Sequence, residues 1–517
     1  MIEELKKLLI YPVHPWLFAL APILFLYSNN LDLVRPGYLL KPIIVSLVGT
    51  TLIFLIIKGL LCSTEKSALL TSLFAFFFTS FGHFLKVIPP LKLGNGEIPN
   101  YTLLGIGLII IYLAIWIWVV RTKRRLVDSN KIVLIVGLVL AAIPLSQMLF
   151  SAFTENDSRS ISQPAITVPI DDSTDKPDVY YIIFDGYARQ DILSEIYGHD
   201  NSEFISFLED KGFLIGKEST SNYPQTYFSI ASSLNMEYVN YLSEQNGQES
   251  DDRRSIIDLF ENNKVRQIFE AQGYQYIQST PRVAGVDEPD QNAINFGRKL
   301  SLNEFDRMLL NTTPLTMYFY YTFQLDNYRE EILSTLERLP EIADNPEPTL
   351  AYLHITLAHP PFVFDQDGLA DVVPGKVTGR DGSHYFEDHP GVEDYRTRYR
   401  NQLTFLNTKI EEMIEDLLAR YESPPIIVLQ ADHGPGSGLD WENPEQTDMH
   451  ERFSILNAYF LPEPGRTTLY PKISPVNTFR IIVNILFKQE LPLLEDKSYF
   501  SSWSKPYQFI DVTRLSE

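Results

Sequence analysis

Five apolar runs fill the first 153 residues, at about 12–28, 42–61, 67–89, 101–120 and 132–153, with short charged connectors between them. Each approaches the roughly 20 residues a helix needs to cross a bilayer core. A buried core helix is also apolar, but five such runs in succession, several rich in Phe, Leu and Ile on every face, read as membrane spans. Lys6 and Lys7 precede the first run as they would in a signal peptide, yet no small-residue cleavage site follows it and four further runs do. The expectation is a five-span helical membrane domain at residues 1–153, followed by a polar, Pro-containing linker at 154–178 and a second domain at 179–517.

Lys and Arg favour the cytoplasmic side of a membrane. Lys6, Lys7, Lys58, Lys66, Arg121, Lys123, Arg124, Arg125 and Lys131 fall on one side of the five runs, and Arg35, Lys41, Lys86 and Lys92 on the other. This asymmetry predicts a multi-pass plasma (inner) membrane protein with a cytoplasmic N-terminus and an extracytoplasmic second domain. From residue 153 onward the chain carries 30 basic and 59 acidic residues, a net −29, which repels nucleic acid at long range. Cys62, the single cysteine, ends the second run, so the outer domain has no disulfide and depends on its own core.

That domain alternates short apolar runs with amphipathic stretches of helix length, the pattern of an α/β fold with a mostly parallel sheet covered by helices. VYYIIF (179–184), TLAYLHITL (349–357) and PIIVLQA (425–431) read as buried strands; 202–212, 263–274, 399–421 and 475–487 read as helices, and 366–395 as a long Gly-, Asp- and Pro-rich binding loop. All three strands run into residues that bind metals or move protons. The first leads to Asp185, the third to Asp432 and His433, and the second carries His354 and leads to His359. Ligands gather beyond the carboxyl ends of strands in open α/β sheets. Two carboxylates and an imidazole suit a divalent cation, zinc or manganese foremost and calcium also compatible. Taken singly, each ending is also an ordinary strand-to-turn Asp or a satisfied His.

The hydroxyl-rich stretch STSNYPQTYFSIASSLN (219–235) supplies a nucleophile to such a site. Residues 227–239 can form a helix behind Pro224, with Thr226 at its N-cap position. A capping Thr needs no further role, but the helix dipole and a nearby cation would also lower that hydroxyl's pKa. On the residues alone Thr226, Ser229, Thr220 and Ser221 all remain candidates. The other histidines (His14, His83, His199, His384 and His389) read as span borders or surface positions.

FDG at 184–186, the Thr of NYPQTYFSIASSLN, LHITLAHPPF at 353–362 and ADHG at 431–434 resemble, in order and rough spacing, the alkaline phosphatase superfamily. Within it the chain is similar to membrane-bound sulfatase-like enzymes, the lipoteichoic acid synthases and lipid A phosphoethanolamine transferases. The resemblance implies a sulfatase-like outer domain, a metal bound by Asp185, Thr226, Asp432 and His433, and Thr226 as nucleophile. It also implies catalytic roles for His359 and His450, and substrate or second-metal contacts for His354, His359 and His450. Those transferases carry Glu where this chain has Asp185, and YPQTYFS has neither the nucleophile nor the Arg of a formylglycine sulfatase motif. The activity implied is a metal-dependent phospho-group transfer on a membrane lipid or envelope glycan. A phosphate- or sulfate-ester hydrolase would share every site residue, and a catalytically silent membrane scaffold would need none of them. Oligomeric state is not written in the sequence.

Overall fold

The computed structural model describes residues 12–31, 34, 36–85, 87–93, 96–154, 168, 176–278, 294–295, 304–316, 325–356, 358–370, 379–387, 389 and 391–516. The chain divides into two compact units, Met1–Ser162 with Leu302–Gln324, and Gln163–Ser301 with Leu325–Glu517. Most of the expected linker at 154–178, Lys6 and Lys7, and part of the 366–395 loop lie outside the described residues.

The first unit is built on α1 (His14–Ser28), α2 (Leu40–Leu61), α3 (Thr64–Leu85), α4 (Asn100–Arg121) and α5 (Val127–Thr154). Among the described residues four helices, not five, are long and apolar enough to cross a membrane: Pro36–Leu61, Thr64–Leu85, Asn100–Arg121 and Val127–Ser151. The described part of α1 has 15 residues, which at 1.5 Å per residue extend about 22 Å against a core of about 30 Å. Leu52, Ile56 and Leu60 on α2, Ile109 and Trp118 on α4, and Ile132 and Phe150 on α5 are exposed, as side chains facing lipid would be. The α1 helix is instead packed by α2, α3 and α5. Its buried His14 places Nδ1 2.6 Å from Ser72 Oγ on α3 and Nε2 2.8 Å from Asn130 Oδ1 on α5, tying three helices through groups that hydrocarbon could not satisfy.

Leu302–Gln324 belongs to this unit, although its sequence position lies deep in the expected outer domain. The short helix Glu304–Leu310 buries Phe305 with Ile23, Tyr27 and Tyr38, and the Phe305 ring meets Tyr27 edge-on at 6.5 Å. Lys41 Nζ reaches Asp306 Oδ2 at 2.6 Å. Gly82 N donates to Thr312 O at 2.9 Å, an approach so close that a Cβ on Gly82 would lie 2.0 Å from Asn311 O. Gly82→Ala should therefore destabilise the detergent-solubilised full chain by about 1–3 kcal/mol in thermal melts. Gly59→Ala, where nothing lies within 4 Å of the added atom, should leave the melting temperature unchanged or raise it.

The second unit centres on a seven-stranded sheet: β1 (Val179–Phe184), β2 (Leu214–Ile215), β3 (Gln275–Gln278), β4 (Ile294–Asn295), β5 (Thr349–Ile355), β6 (Ile426–Gln430) and β7 (Asn457–Phe460), in spatial order β2-β7-β6-β1-β5-β3-β4. The sheet is mixed. β1 pairs parallel with β5 and β6, and β3 parallel with β5 and β4, whereas β7 runs antiparallel to both β6 and β2. β1, β5 and β6 are buried along their whole length, as strands covered on both faces must be. The helices α6 (Ser202–Asp210), α7 (Thr226–Asn235), α8 (Lys264–Ala271), α9 (Val392–Ala419), α10 (Met449–Phe453) and α11 (Pro475–Phe487) belong to this unit. The start of α9 precedes the expected residue 399 because Tyr395 and Tyr399 continue the buried stripe of Leu403, Leu406, Ile410, Ile414 and Leu417.

Sheet and helices are also joined by polar side chains. Gln430 Nε2 donates to Asn457 Oδ1 at 2.9 Å and to Thr478 Oγ1 at 3.0 Å, linking β6, β7 and α11. The Tyr181 hydroxyl on β1 lies 2.7 Å from Gln430 Oε1 and 2.9 Å from Ser233 Oγ of α7. These bonds, between buried groups, fix α7 to the sheet.

Candidate metal centre

Parallel register brings the carboxyl ends of three strands together. Phe184 stands opposite Ile355, and Ile183 opposite Gln430, so Asp185, the residues after β5, and Asp432–His433 leave the sheet at one edge. Asp185 N still donates to Ile355 O at 3.0 Å, carrying the ladder one residue past β1. Gly186 then turns with φ +74° and its N–H reaches Asp432 Oδ1 at 3.3 Å. Gly434 closes the other turn. Its N–H donates to Arg452 O at 2.7 Å, and a Cβ there would stand 2.1 Å from Glu451 O, so this close approach requires glycine.

His433 lies at the middle of the cluster. Its Nδ1 is 3.0 Å from Gly434 O, a carbonyl that can only accept, so Nδ1 carries the proton and Nε2 presents a lone pair. That lone pair is 3.4 Å from Asp185 Oδ1, 3.3 Å from Asp432 Oδ2 and 3.2 Å from Thr226 Oγ1. Asp185 Oδ1 and Asp432 Oδ2 are buried and accept no hydrogen bond among the described residues. Two buried carboxylate oxygens and an imidazole lone pair facing one another repel unless a cation lies between them. The donor set therefore fits a divalent metal ion. Two overlapping triads have ligand atoms within 4.8 Å of one another: Asp185, His359 and His433, and Asp185, His354 and Asp432. His354 Nε2 is 3.4 Å from Asp185 Oδ2.

The electrostatics follow from burial and these neighbours. Burial pushes the Asp185 carboxyl up, but His359, His354 and His433 outweigh it and hold the group well below the carboxylate range. Burial and then Arg452 lower His433, which keeps it in the neutral form a ligand needs. For His359 burial opposes the charge, yet Asp185 and Asp381 raise its pKa.

Thr226 is the first residue of α7 and not its N-cap, a position Gln225 takes with no side-chain cap bond. The Thr226 hydroxyl is thus free of the capping role the sequence allowed it and is turned to His433. Among the other candidate hydroxyls, Ser221 Oγ donates to Tyr223 O at 3.3 Å, Thr220 Oγ1 receives Ser498 Oγ at 3.4 Å, and Ser229 is buried within α7. His359 holds Nδ1 2.7 Å from Pro360 O, with Nε2 3.8 Å from Asp381 Oδ2. His450, on α10, is placed apart from both triads: its Nε2 is 3.9 Å from Asp191 Oδ2 and its Nδ1 3.4 Å from Ser516 O.

Asp381, Arg452 and Tyr395 adjoin this cluster and were not singled out in the sequence. Arg452 Nη1 binds Asp381 Oδ2 at 2.7 Å, and the Tyr395 hydroxyl donates to Asp381 Oδ1 at 2.7 Å. Asp381 lies within the Gly-rich loop expected to bind a ligand, but nothing in its immediate sequence separates it from the loop's other acids. A buried Arg inside MHERF has no local signature either.

No protein-family model matches the chain, and no curated protein does. Solved structures do. The C-terminal periplasmic domain of EcEptC from Escherichia coli, in complex with Zn, is 14% identical over 67% of this chain and 96% of that one, with a TM-score of 0.41. The integral membrane lipooligosaccharide phosphoethanolamine transferase EptA from Neisseria meningitidis is 12% identical over 92% of this chain and 95% of its own, with a TM-score of 0.39. The phosphonate monoester hydrolase of Agrobacterium radiobacter is 13% identical over 63% and 80%, with a TM-score of 0.41.

Proposed function

We propose that the chain is a membrane-embedded, metal-dependent enzyme that transfers a phospho-group from a membrane lipid to an envelope lipid or glycan through Thr226. The observation that carries this is the Thr226 hydroxyl at the head of a helix, 3.2 Å from a His433 Nε2 that itself faces two carboxylate oxygens accepting no hydrogen bond among the described residues. A catalytically silent scaffold has no use for that arrangement. In this reading α1 is a fifth span, and the basic residues clustered before α1 and between α4 and α5 place the N-terminus in the cytoplasm and the second unit outside.

Asp185, Asp432, His433 and Thr226 would hold the cation. Bound there, a zinc or manganese ion would acidify the hydroxyl and offset the charge of a phosphoryl oxygen. Thr226 Oγ gives its proton to solvent and attacks phosphorus in line, aided by the N-terminal dipole of α7, forming a new P–O bond as the bond to the donor's oxygen breaks. His359, with Nε2 3.8 Å from Asp381 Oδ2, gives an Nε2 proton to the leaving oxygen. An acceptor hydroxyl then gives its proton to His359 as it displaces Thr226 from phosphorus, and Thr226 Oγ takes a proton back from solvent, which returns the enzyme to its starting state. His354 lies against Asp185 and orients it, and His450, beside Asp191, is assigned no step.

Asp185 in place of the Glu found in the transferases that the sequence resembles favours a second reading, in which water is the acceptor and the enzyme is a phosphate- or sulfate-ester hydrolase. The full chain in liposomes with labelled phosphatidylethanolamine or phosphatidylglycerol separates the two. A transferase passes label to an added lipid-linked disaccharide and releases little without it. Release to water at one rate with and without the acceptor would refute transfer, and no release from any phosphate or sulfate ester would refute both readings.

A further inference from the structure

Arg452 is 1% exposed, a placement a guanidinium tolerates only when its charge and its donors are met. They are met by three partners from separate parts of the chain. Nε and Nη2 donate to Pro224 O at 3.1 and 2.7 Å, and Nη1 donates to Gly434 O at 2.9 Å and to Asp381 Oδ2 at 2.7 Å. Pro224 stands two residues before Thr226, and Gly434 directly follows His433. The same Gly434 carbonyl accepts the Nδ1 proton that leaves His433 Nε2 as a lone pair. Asp381 is itself held, with Oδ1 bound by the Tyr395 hydroxyl and its carbonyl by Trp441 Nε1 at 2.9 Å. The Trp441 ring lies 5.0 Å from the guanidinium carbon.

We infer that Arg452 is a positioning residue: its planar fork joins the loop before Thr226 to the turn after His433, so that the hydroxyl and the imidazole meet, with Asp381 setting the plane of the fork. This rests on the reading of Thr226 as nucleophile. Lysine cannot take over, because one ammonium on a flexible stem has no rigid fork with which to hold two carbonyls and a carboxylate in fixed relation.

Arg452→Lys in the full-length, metal-loaded protein tests this, with bis(p-nitrophenyl) phosphate and p-nitrophenyl phosphate as probes. Small displacements of a reacting group cost on the order of 100-fold. The expected result is a fall in kcat of about 30-fold or more with KM within about threefold, a melting temperature within a few degrees and metal content unchanged. A kcat within threefold of wild type would overturn the inference, as would a loss no larger than the loss of folded, metal-loaded protein. If Arg452→Lys does not fold, Asp381→Asn, which keeps an oxygen for Nη1 but not the charge that fixes the fork, should still lower kcat about tenfold; an unchanged kcat there overturns the inference equally. Thr226→Ala in the same assay marks failure of the nucleophile reading separately, by keeping its activity. A structure of Arg452→Lys reads the positioning without any turnover: a Thr226 Oγ1 to His433 Nε2 separation still near 3.2 Å refutes it whichever group is the nucleophile.

Discussion

Thr226→Ala should abolish formation of a covalent phospho-adduct and lower turnover on the order of 10⁴-fold or more, the scale seen when a nucleophile is removed from an assembled site. Thr226→Ser, which keeps the hydroxyl, should retain measurable turnover and move the adduct to the new serine. The check is intact-protein and peptide mass spectrometry after a quench, alongside steady-state rates on the same samples. The large effect follows from placement. No other candidate hydroxyl of the 219–235 stretch is shown beside His433, since Ser221 is bonded to Tyr223 O and Ser229 is buried in α7. An adduct at Ser229, or a variant as active as wild type, would sink the assignment.

Asp432→Asn should change stability in opposite directions with and without metal. Asp432 Oδ2 is buried, accepts no hydrogen bond among the described residues and faces the His433 lone pair, with only a cation to offset its charge. Such a group costs about 1–3 kcal/mol, and a neutral amide relieves part of this, so the variant should melt at or above wild type. In saturating zinc or manganese the order reverses, because wild type gains roughly 4 kcal/mol when the free ion is a thousand times its dissociation constant, and the variant, short of one anionic ligand, gains far less. Differential scanning calorimetry with and without chelator reads both signs, and elemental analysis should find metal near stoichiometric in wild type and largely lost in the variant. Equal melting shifts on adding metal would remove Asp432 from the ligand set.

How much of this the sequence carried can be judged residue by residue. Asp185, Asp432, His433 and His359 were legible because each follows a strand-like run, and parallel pairing of three such runs makes their ends neighbours. Local pattern could not assign Thr226, where an N-cap and the first helical turn differ by one residue and only the tertiary approach of His433 decides between them. Asp381 and Arg452 were invisible for a related reason, since their partners lie far away along the chain: 71 residues separate the two, and 228 separate Arg452 from Pro224. The antiparallel pairing of β7 and the two-residue β2 escaped because neither is long enough to show a period. The grouping of segment 302–324 with the first unit escaped because contacts such as Phe305 with Tyr27 and Tyr38 join residues far apart along the chain.

That last segment bears on how the protein can be taken apart. Because Leu302–Gln324 belongs to the first unit while the residues on both sides of it belong to the second, the chain passes between the units three times, near residues 162, 301 and 324. A protease that nicks only the 154–178 stretch would therefore leave the two halves joined. A truncation starting at residue 154 would strip Phe305 and Asp306 of Tyr27, Tyr38 and Lys41. A water-soluble form of the second unit should accordingly be obtained only when residues 302–324 are excised along with the apolar helices of the first unit and the cut ends rejoined by a short flexible bridge.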